Sequence, residues 1–181
     1  MARRQDWRII EQLGGIILEN AEGCIFEIGL GKSTHIFLKF AKDFNRDLYC
    51  FDYKSRKTDW AKERGAKVFL GESITFLDQF PDIPVAMGLI DGNHRYGNVI
   101  QELDCFLPKL TYGGIIFLHD TYPSKERWIK ENGTRCGNVY KLRQELEIRK
   151  DVRIFTWPYT AANCGLTMVM KKEPNRPYYR L

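Results

Sequence analysis

Two Asp/His pairs can move a proton or hold a cation: Asp91 with His94 in Asp91-Gly92-Asn93-His94, and Asp120 with His119 in His119-Asp120-Thr121. Histidine titrates near neutral pH, and a neighbouring carboxylate orients it, so either pair suits general acid–base work. The same residue types ligate divalent cations. Structural readings stand beside these. His94 could cap the helix after it, His119 could be a hydrogen-bonded rim residue, and Asp120 could cap the turn through Thr121.

Upstream, Glu27-Ile28-Gly29-Leu30-Gly31-Lys32-Ser33-Thr34 joins a carboxylate to closely spaced glycines. A phosphate loop of the nucleotide-hydrolase type needs a further glycine where Phe26 stands. A dinucleotide fingerprint needs a third glycine where Thr34 stands, and Glu27 would repel a pyrophosphate. An acidic residue suits a cationic ligand without phosphate. S-adenosylmethionine is such a ligand, with a sulfonium and an ammonium that Glu27 can attract. Gly29 and Gly31 let the backbone approach it. Asp52 can accept hydrogen bonds from its ribose hydroxyls, and Glu72 and Ser73 of Gly71-Glu72-Ser73 can reach its adenine. Asp52 could equally be a solvated strand-end carboxylate, Glu27 a paired buried one, and Ser73 a plain helix cap.

These residues must be positioned by the elements before them. Apolar runs at Cys24–Ile28, Leu48–Phe51, Lys67–Leu70, Val85–Ile90 and Ile115–Leu118 read as strands. Between them lie helical stretches: one capped by Ser33 or Thr34 with Phe37, Phe40, Ala41 and Phe44 on one face, Asp59–Arg64, Ser73–Phe80, and a stripe from Val99 to Leu110. Asn138–Arg149 reads as a helix, and Val152–Thr156 and Leu166–Met170 as two last strands. Residues 1–22 read as a docking helix, with Trp7, Ile10, Leu13 and Ile17 at helical spacing and Gly14-Gly15 weakening it. Residues 172–181 read as a basic surface tail. The alternation predicts an α/β fold: a doubly wound, mostly parallel seven-stranded sheet with an antiparallel last strand. In such sheets ligands bind beyond the carboxyl ends of the strands, where Gly29, Gly31, Asp52, Glu72, Ser73, Asp91, His94, His119 and Asp120 lie.

The 181 residues suit a single domain; 44% are hydrophobic and 28% charged. A net charge of +5 admits an anionic acceptor and falls short of a dedicated nucleic-acid surface. No apolar run reaches the roughly 18–20 residues that cross a bilayer, so no membrane partner is expected. Cys24, Cys50, Cys105, Cys136 and Cys164 are odd in number and widely spaced, which fits reduced thiols and a cytoplasmic setting. The polar stretch Thr121–Cys136 is long for a loop and is expected to close over an acceptor, with Trp128 as its cover.

Glu27-Ile28-Gly29-Leu30-Gly31, Asp52, Ile90-Asp91-Gly92-Asn93-His94-Arg95-Tyr96 and Gly113-Gly114-Ile115-Ile116-Phe117-Leu118-His119-Asp120-Thr121 together resemble the class I S-adenosylmethionine-dependent methyltransferases, which have a Rossmann-like fold. Within them, the subgroup of macrocin- and mycinamicin-type sugar O-methyltransferases is the most similar. The resemblance covers roughly residues 22–121. It implies O-methylation of a small, sugar-like acceptor. It also implies a divalent metal on Asp91 and Asp120, with His94 as general base; His119 departs from the pattern, which has an acid there. The metal reading is therefore Asp91, His119 and Asp120, and the catalytic reading His94 with Asp91. The segment after the fourth strand differs from the Asn/Asp-Pro-Pro-Tyr pattern of base-amine methylation, which argues against a nucleic-acid acceptor. A methyltransferase-like module that binds cofactor or a partner without catalysis is the second reading. A domain this compact leaves room for a homo-oligomer that shares its acceptor pocket.

Overall fold

The computed structural model describes residues 5–158 and 164–173. Seven strands form one sheet: β1 (Cys24–Ile28), β2 (Leu48–Asp52), β3 (Lys67–Leu70), β4 (Val85–Ile90), β5 (Leu110–His119), β6 (Val152–Trp157) and β7 (Leu166–Lys171). Their order is β3-β2-β1-β4-β5-β7-β6. β1 to β5 pair in parallel, while β7 lies antiparallel between β5 and β6. The order reverses between β1 and β4, the switch at which a doubly wound sheet opens a crevice.

Every residue of β1, β2 and β4 is buried, as expected of central strands covered on both faces. On one face, α1 (Gln5–Asn20), α2 (Thr34–Asp43) and α3 (Ser55–Lys62) supply Ile10, Ile17, Phe37, Phe40 and Ala61 to the core. On the other, α4 (Tyr96–Phe106) and α5 (Tyr140–Ile148) supply Val99, Leu103, Phe106, Leu142 and Leu146, packed under Phe26 and Phe51. α1 packs on the sheet, and one of its two adjacent glycines, Gly14, has a packing reason. A Cβ on Gly14 would lie 2.3 Å from the Phe40 ring, so glycine lets α1 and α2 close together.

Several boundaries differ from the sequence reading. The helix expected to run to Leu110 ends at Phe106, and Leu110 instead opens β5 beside Val85. Gly113 and Gly114 lie inside β5 rather than in a turn before it, at a register irregularity where a Cβ on Gly114 would sit 2.7 Å from the Ala86 carbonyl. The expected helix Ser73–Phe80 is two short 3-10 turns, Ser73–Thr75 and Leu77–Gln79. The helix read at Asp59–Arg64 starts earlier, at Ser55. The tail expected beyond Glu173 lies outside the described residues.

Candidate functional site

The carboxyl ends of β1, β2, β4 and β5 surround a pocket of about 900 Å³. Gly29, Gly31, Asp52, Glu72, Ser73, Asp91, His94, His119 and Asp120 all line it, so eight positions read from motifs far apart in sequence meet around one space, with Asp120 as the ninth. That volume lies in the range of sites for drug-sized ligands.

β1 delivers the chain into a turn that only glycine can make. Gly29 has φ +85°, and a Cβ there would lie 2.2 Å from the Asp91 carbonyl oxygen. Gly31 is different: a Cβ there would meet nothing within 4 Å, so the protein's own packing does not require glycine. Glu27 is wholly buried beneath this turn and is not on the pocket wall. Ser33 Oγ donates to its Oε1 at 2.5 Å, and Oε2 meets no aligned donor among the described residues. Burial pushes Glu27 up to about 8, and hydrogen bonds from Ser33 and Thr34 offset only part of this. Ser33 therefore does not cap α2 with its hydroxyl, as its position suggested, and Thr34 Oγ1 instead accepts the Gly31 N–H at 2.9 Å. A buried carboxylate needs a donor to offset the loss of its hydration.

Asp52, the last residue of β2, is 5% exposed. Its Oδ2 accepts the Leu30 N–H at 2.9 Å and Lys57 Nζ at 2.9 Å, and its Oδ1 accepts the Lys54 N–H at 2.8 Å. This is no solvated strand end. One lone pair on Oδ1 remains, and Lys57 Nζ donates to the Leu30 carbonyl as well as to Asp52. Ser73 turns its hydroxyl to Glu102 on α4, not to the pocket, so it faces the pocket without that donor. Glu72 is exposed on the rim.

Four titratable side chains converge after β4 and β5. His94 Nε2 lies 3.3 Å from Asp91 Oδ1, and its Nδ1 lies 3.2 Å from Asp120 Oδ2. Nδ1 also meets the Arg135 carbonyl, which can only accept, so Nδ1 carries a proton. Burial favours a neutral His94 ring, but the hydrogen bond to Asp91 and the charges of Asp120 and Asp91 prevail and raise it to about 9. His119 is 4% exposed and stacks on Trp7 of α1 at 5.2 Å. Its Nε2 is 3.3 Å from Asp6 Oδ2, and its Nδ1 is 3.0 Å from Asp91 Oδ1 and 3.2 Å from Asp120 Oδ1. Burial opposes its charge, yet the surrounding carboxylates, Asp91 foremost, hold it well above the usual histidine range. Burial likewise opposes ionised Asp91, but the His119 charge and the hydrogen bonds from both histidines hold Asp91 well below the carboxylate range.

The stretch after Asp120 folds across the pocket. It contains a 3-10 turn, Glu126–Trp128, and lies on the segment after β4: Arg95 Nε donates to the Asn132 carbonyl at 3.2 Å, and the Asn138 N–H donates to the His94 carbonyl at 3.1 Å. Trp128, Asn132, Gly133, Arg135 and Cys136 reach the pocket wall from it. Sequence reasoning missed Trp7, Lys57, Cys136 and Cys164 on that wall, because nothing in the sequence near any of them marks a strand end or a ligand-binding motif.

A family model described as a methyltransferase domain matches residues 26–121. The chain belongs to this methyltransferase-domain family. No curated protein matches it significantly. Among solved structures, the methyltransferase is similar to cofactor-bound Rv0187 from MTB, at 14% identity and TM-score 0.75, over 96% of this chain and 83% of that one. It is also similar to the SAH-bound Podospora anserina methyltransferase PaMTH1, at 18% identity and TM-score 0.67, over 96% and 80% of the two chains. A third is MycE from the mycinamycin biosynthetic pathway, in complex with Mg and SAH, at 16% identity and TM-score 0.57, over 95% of this chain and 51% of that one. At these identities the likeness shows the fold.

A magnesium site does not fit the residues of this methyltransferase. Magnesium wants oxygen donors around it. Here the donors that stand beside the Asp91 and Asp120 carboxylates are the ring nitrogens of His94 and His119, not further oxygens. Donor atoms of Asp91, His94 and Asp120 gather within 4.8 Å of one another, and the third ligand expected from the sequence, His119, turns its Nδ1 to the same two carboxylates at 3.0 and 3.2 Å. Its ring is held between Asp6 and Trp7 at the end of β5.

Proposed function

We propose that this methyltransferase transfers the methyl group of S-adenosylmethionine to a hydroxyl oxygen of a small polar acceptor, with a sugar as the acceptor class to test first. The observation that carries the reading is that the Gly29–Gly31 turn, Asp52 and His94 open onto a single pocket. In this reading the ribose takes the remaining acceptor capacity of Asp52 and displaces Lys57, the chain at Gly31 runs against the ligand, and the buried Glu27 carboxylate draws its ammonium. Bound S-adenosylmethionine supplies a methyl carbon already activated by its sulfonium. His94 Nε2 takes the acceptor proton, while the Arg135 carbonyl fixes Nδ1–H and so leaves Nε2 as the base. Asp91 and Asp120 stabilise the imidazolium that results. Trp128 and Trp7 wall the acceptor side.

The test is calorimetry with S-adenosylmethionine and with its demethylated product, followed by incubation of a small-molecule extract with methyl-labelled cofactor and mass spectrometry of the products. Cofactor binding with a labelled O-methyl product supports the reading. Binding without any product, across sugars and other hydroxyl acceptors, would leave the chain as a non-catalytic module. Tight ATP binding that depends on Lys32 would overturn the cofactor.

A further inference from the structure

Cys136 and Cys164 read from the sequence only as reduced thiols, yet the fold brings both to Asp120. One donor atom from each of the three residues, two sulfurs and a carboxylate oxygen, lies within 4.8 Å of the others. None of the five cysteines forms a disulfide. Asp120 and Cys136 are buried, and all three residues line the pocket.

Three separate segments are bent to make this meeting. Asp120 leaves β5 at φ +60°, a left-handed conformation that is strained for a residue with a Cβ. Cys136 is followed by Gly137, at φ +51°, whose Cβ would lie 1.6 Å from the His94 carbonyl oxygen; only glycine lets the chain bearing Cys136 press so closely on the His94 segment. Cys164 is followed by Gly165, at φ +82°, whose Cβ would lie 2.5 Å from the Tyr122 nitrogen. The Tyr122 N–H donates to the Cys164 carbonyl at 2.8 Å, which ties the start of β7 to the exit of β5.

We propose that Asp120, Cys136 and Cys164 form a three-donor site for a thiophilic divalent cation, zinc by preference, with its fourth position open to the pocket. Two thiolates and a carboxylate select zinc over magnesium, because soft sulfur donors suit zinc and hard ions want oxygen. Three protein ligands with one open position is the coordination that zinc adopts in reactive sites, where it acidifies a bound water or hydroxyl. As the zinc–sulfur bonds form, the two thiol protons leave to solvent, and the charge on the site stays balanced. Asp120 belongs also to the set with Asp91 and His94, so an ion on the sulfurs draws Asp120 away from His94. The proposal stands on donor geometry and survives failure of the methyl-transfer reading.

The experiment titrates reduced, chelator-stripped protein with cobalt(II) under anaerobic conditions. The expected result is a near-ultraviolet thiolate-to-cobalt charge-transfer band that saturates at one ion and is abolished by added zinc. Cys136→Ser and Cys164→Ser should each lose the band, and Asp120→Asn should weaken binding. Cys105→Ser and Asp91→Asn should keep the band, which separates this site from the Asp91–His94–Asp120 set. In the unmodified protein, zinc should slow alkylation of Cys136 and Cys164 and leave that of Cys105 unchanged; this readout needs no variant to fold. Absence of the band, a band that survives both cysteine variants, or a Cys136–Cys164 disulfide in protein that takes up no ion when reduced would overturn the proposal.

Discussion

Ser33 Oγ sits 2.5 Å from Glu27 Oε1, and the other Glu27 oxygen has no aligned donor among the described residues. A buried carboxylate half-satisfied in this way prefers a proton until a cation arrives, which is why Glu27 titrates near 8. Binding a ligand ammonium must therefore expel that proton at lower pH. Affinity for the demethylated cofactor should rise between pH 6 and 7.5, by at most about tenfold per pH unit. Calorimetry in buffers of differing ionisation heat should show proton release. Glu27→Gln should bind more weakly and lose the slope; an unmodified protein with flat affinity across that window would remove Glu27 from cofactor binding.

Asp52 joins two turns as well as facing the pocket, because it accepts from Leu30, Lys54 and Lys57. Asp52→Ala should therefore lower both cofactor affinity and thermal stability. Losing charged-group hydrogen bonds to the ribose should cost about 1.5–3 kcal/mol of binding. Lys57→Met separates the two roles: it frees Asp52 Oδ2 for the ribose, so affinity should hold or improve. If Lys57→Met weakens binding as much as Asp52→Ala does, the ribose assignment fails.

Glu102 on α4 is buried, accepts the Ser73 hydroxyl and leaves its Oε2 without a partner among the described residues. Burial raises it to about 7, the Ser73 hydrogen bond and the His94 charge opposing. The sign follows from linkage: between 4.5 and 7 the folded chain holds this proton and the unfolded chain does not. The stability it contributes is complete below 4.5 and is lost as pH rises through 7. Thermal midpoints of the ligand-free protein should fall by several degrees across that window, and Glu102→Gln should flatten this part of the fall. An equal fall in the variant would assign the loss to other groups.

Most of the fold was legible because central strands covered on both faces leave continuous apolar runs, as in Val85–Ile90, and because glycine or a charged residue ends them. The site was legible where chemistry follows a strand end: Asp52, Asp91, His94 and Asp120 could be placed from the alternation alone. What stayed hidden depends on long-range docking. Nothing local to Trp7 says that α1 lays it on His119, and nothing local to Cys136 or Cys164 says that both reach Asp120. Leu110 was misassigned because one apolar residue fits a helical stripe and the start of a strand equally well. Ser33 does stand at the N-cap of α2, but its hydroxyl goes to the buried carboxylate underneath, which capping rules do not count.

His94 links the site's charge to its rate. Its Nδ1 proton is held by the Arg135 carbonyl, and its Nε2 faces Asp91 at 3.3 Å. A base must be neutral to accept a proton, yet in the ligand-free protein this ring stays protonated up to about 9. A bound sulfonium adds positive charge nearby and lowers that value. The rate with saturating cofactor should therefore climb on the acidic side with an apparent pKa below 9, and kcat/KM measured from free enzyme should climb with one closer to 9. His94→Ala should reduce kcat by roughly 10²–10⁴ with cofactor affinity nearly unchanged. Asp91→Asn should shift the acidic limb downward in pH, because it removes the charge that stabilises the imidazolium. An acidic limb that stays in place in Asp91→Asn, together with full turnover in His94→Ala, would mean that the acceptor proton leaves to water without help from this pair.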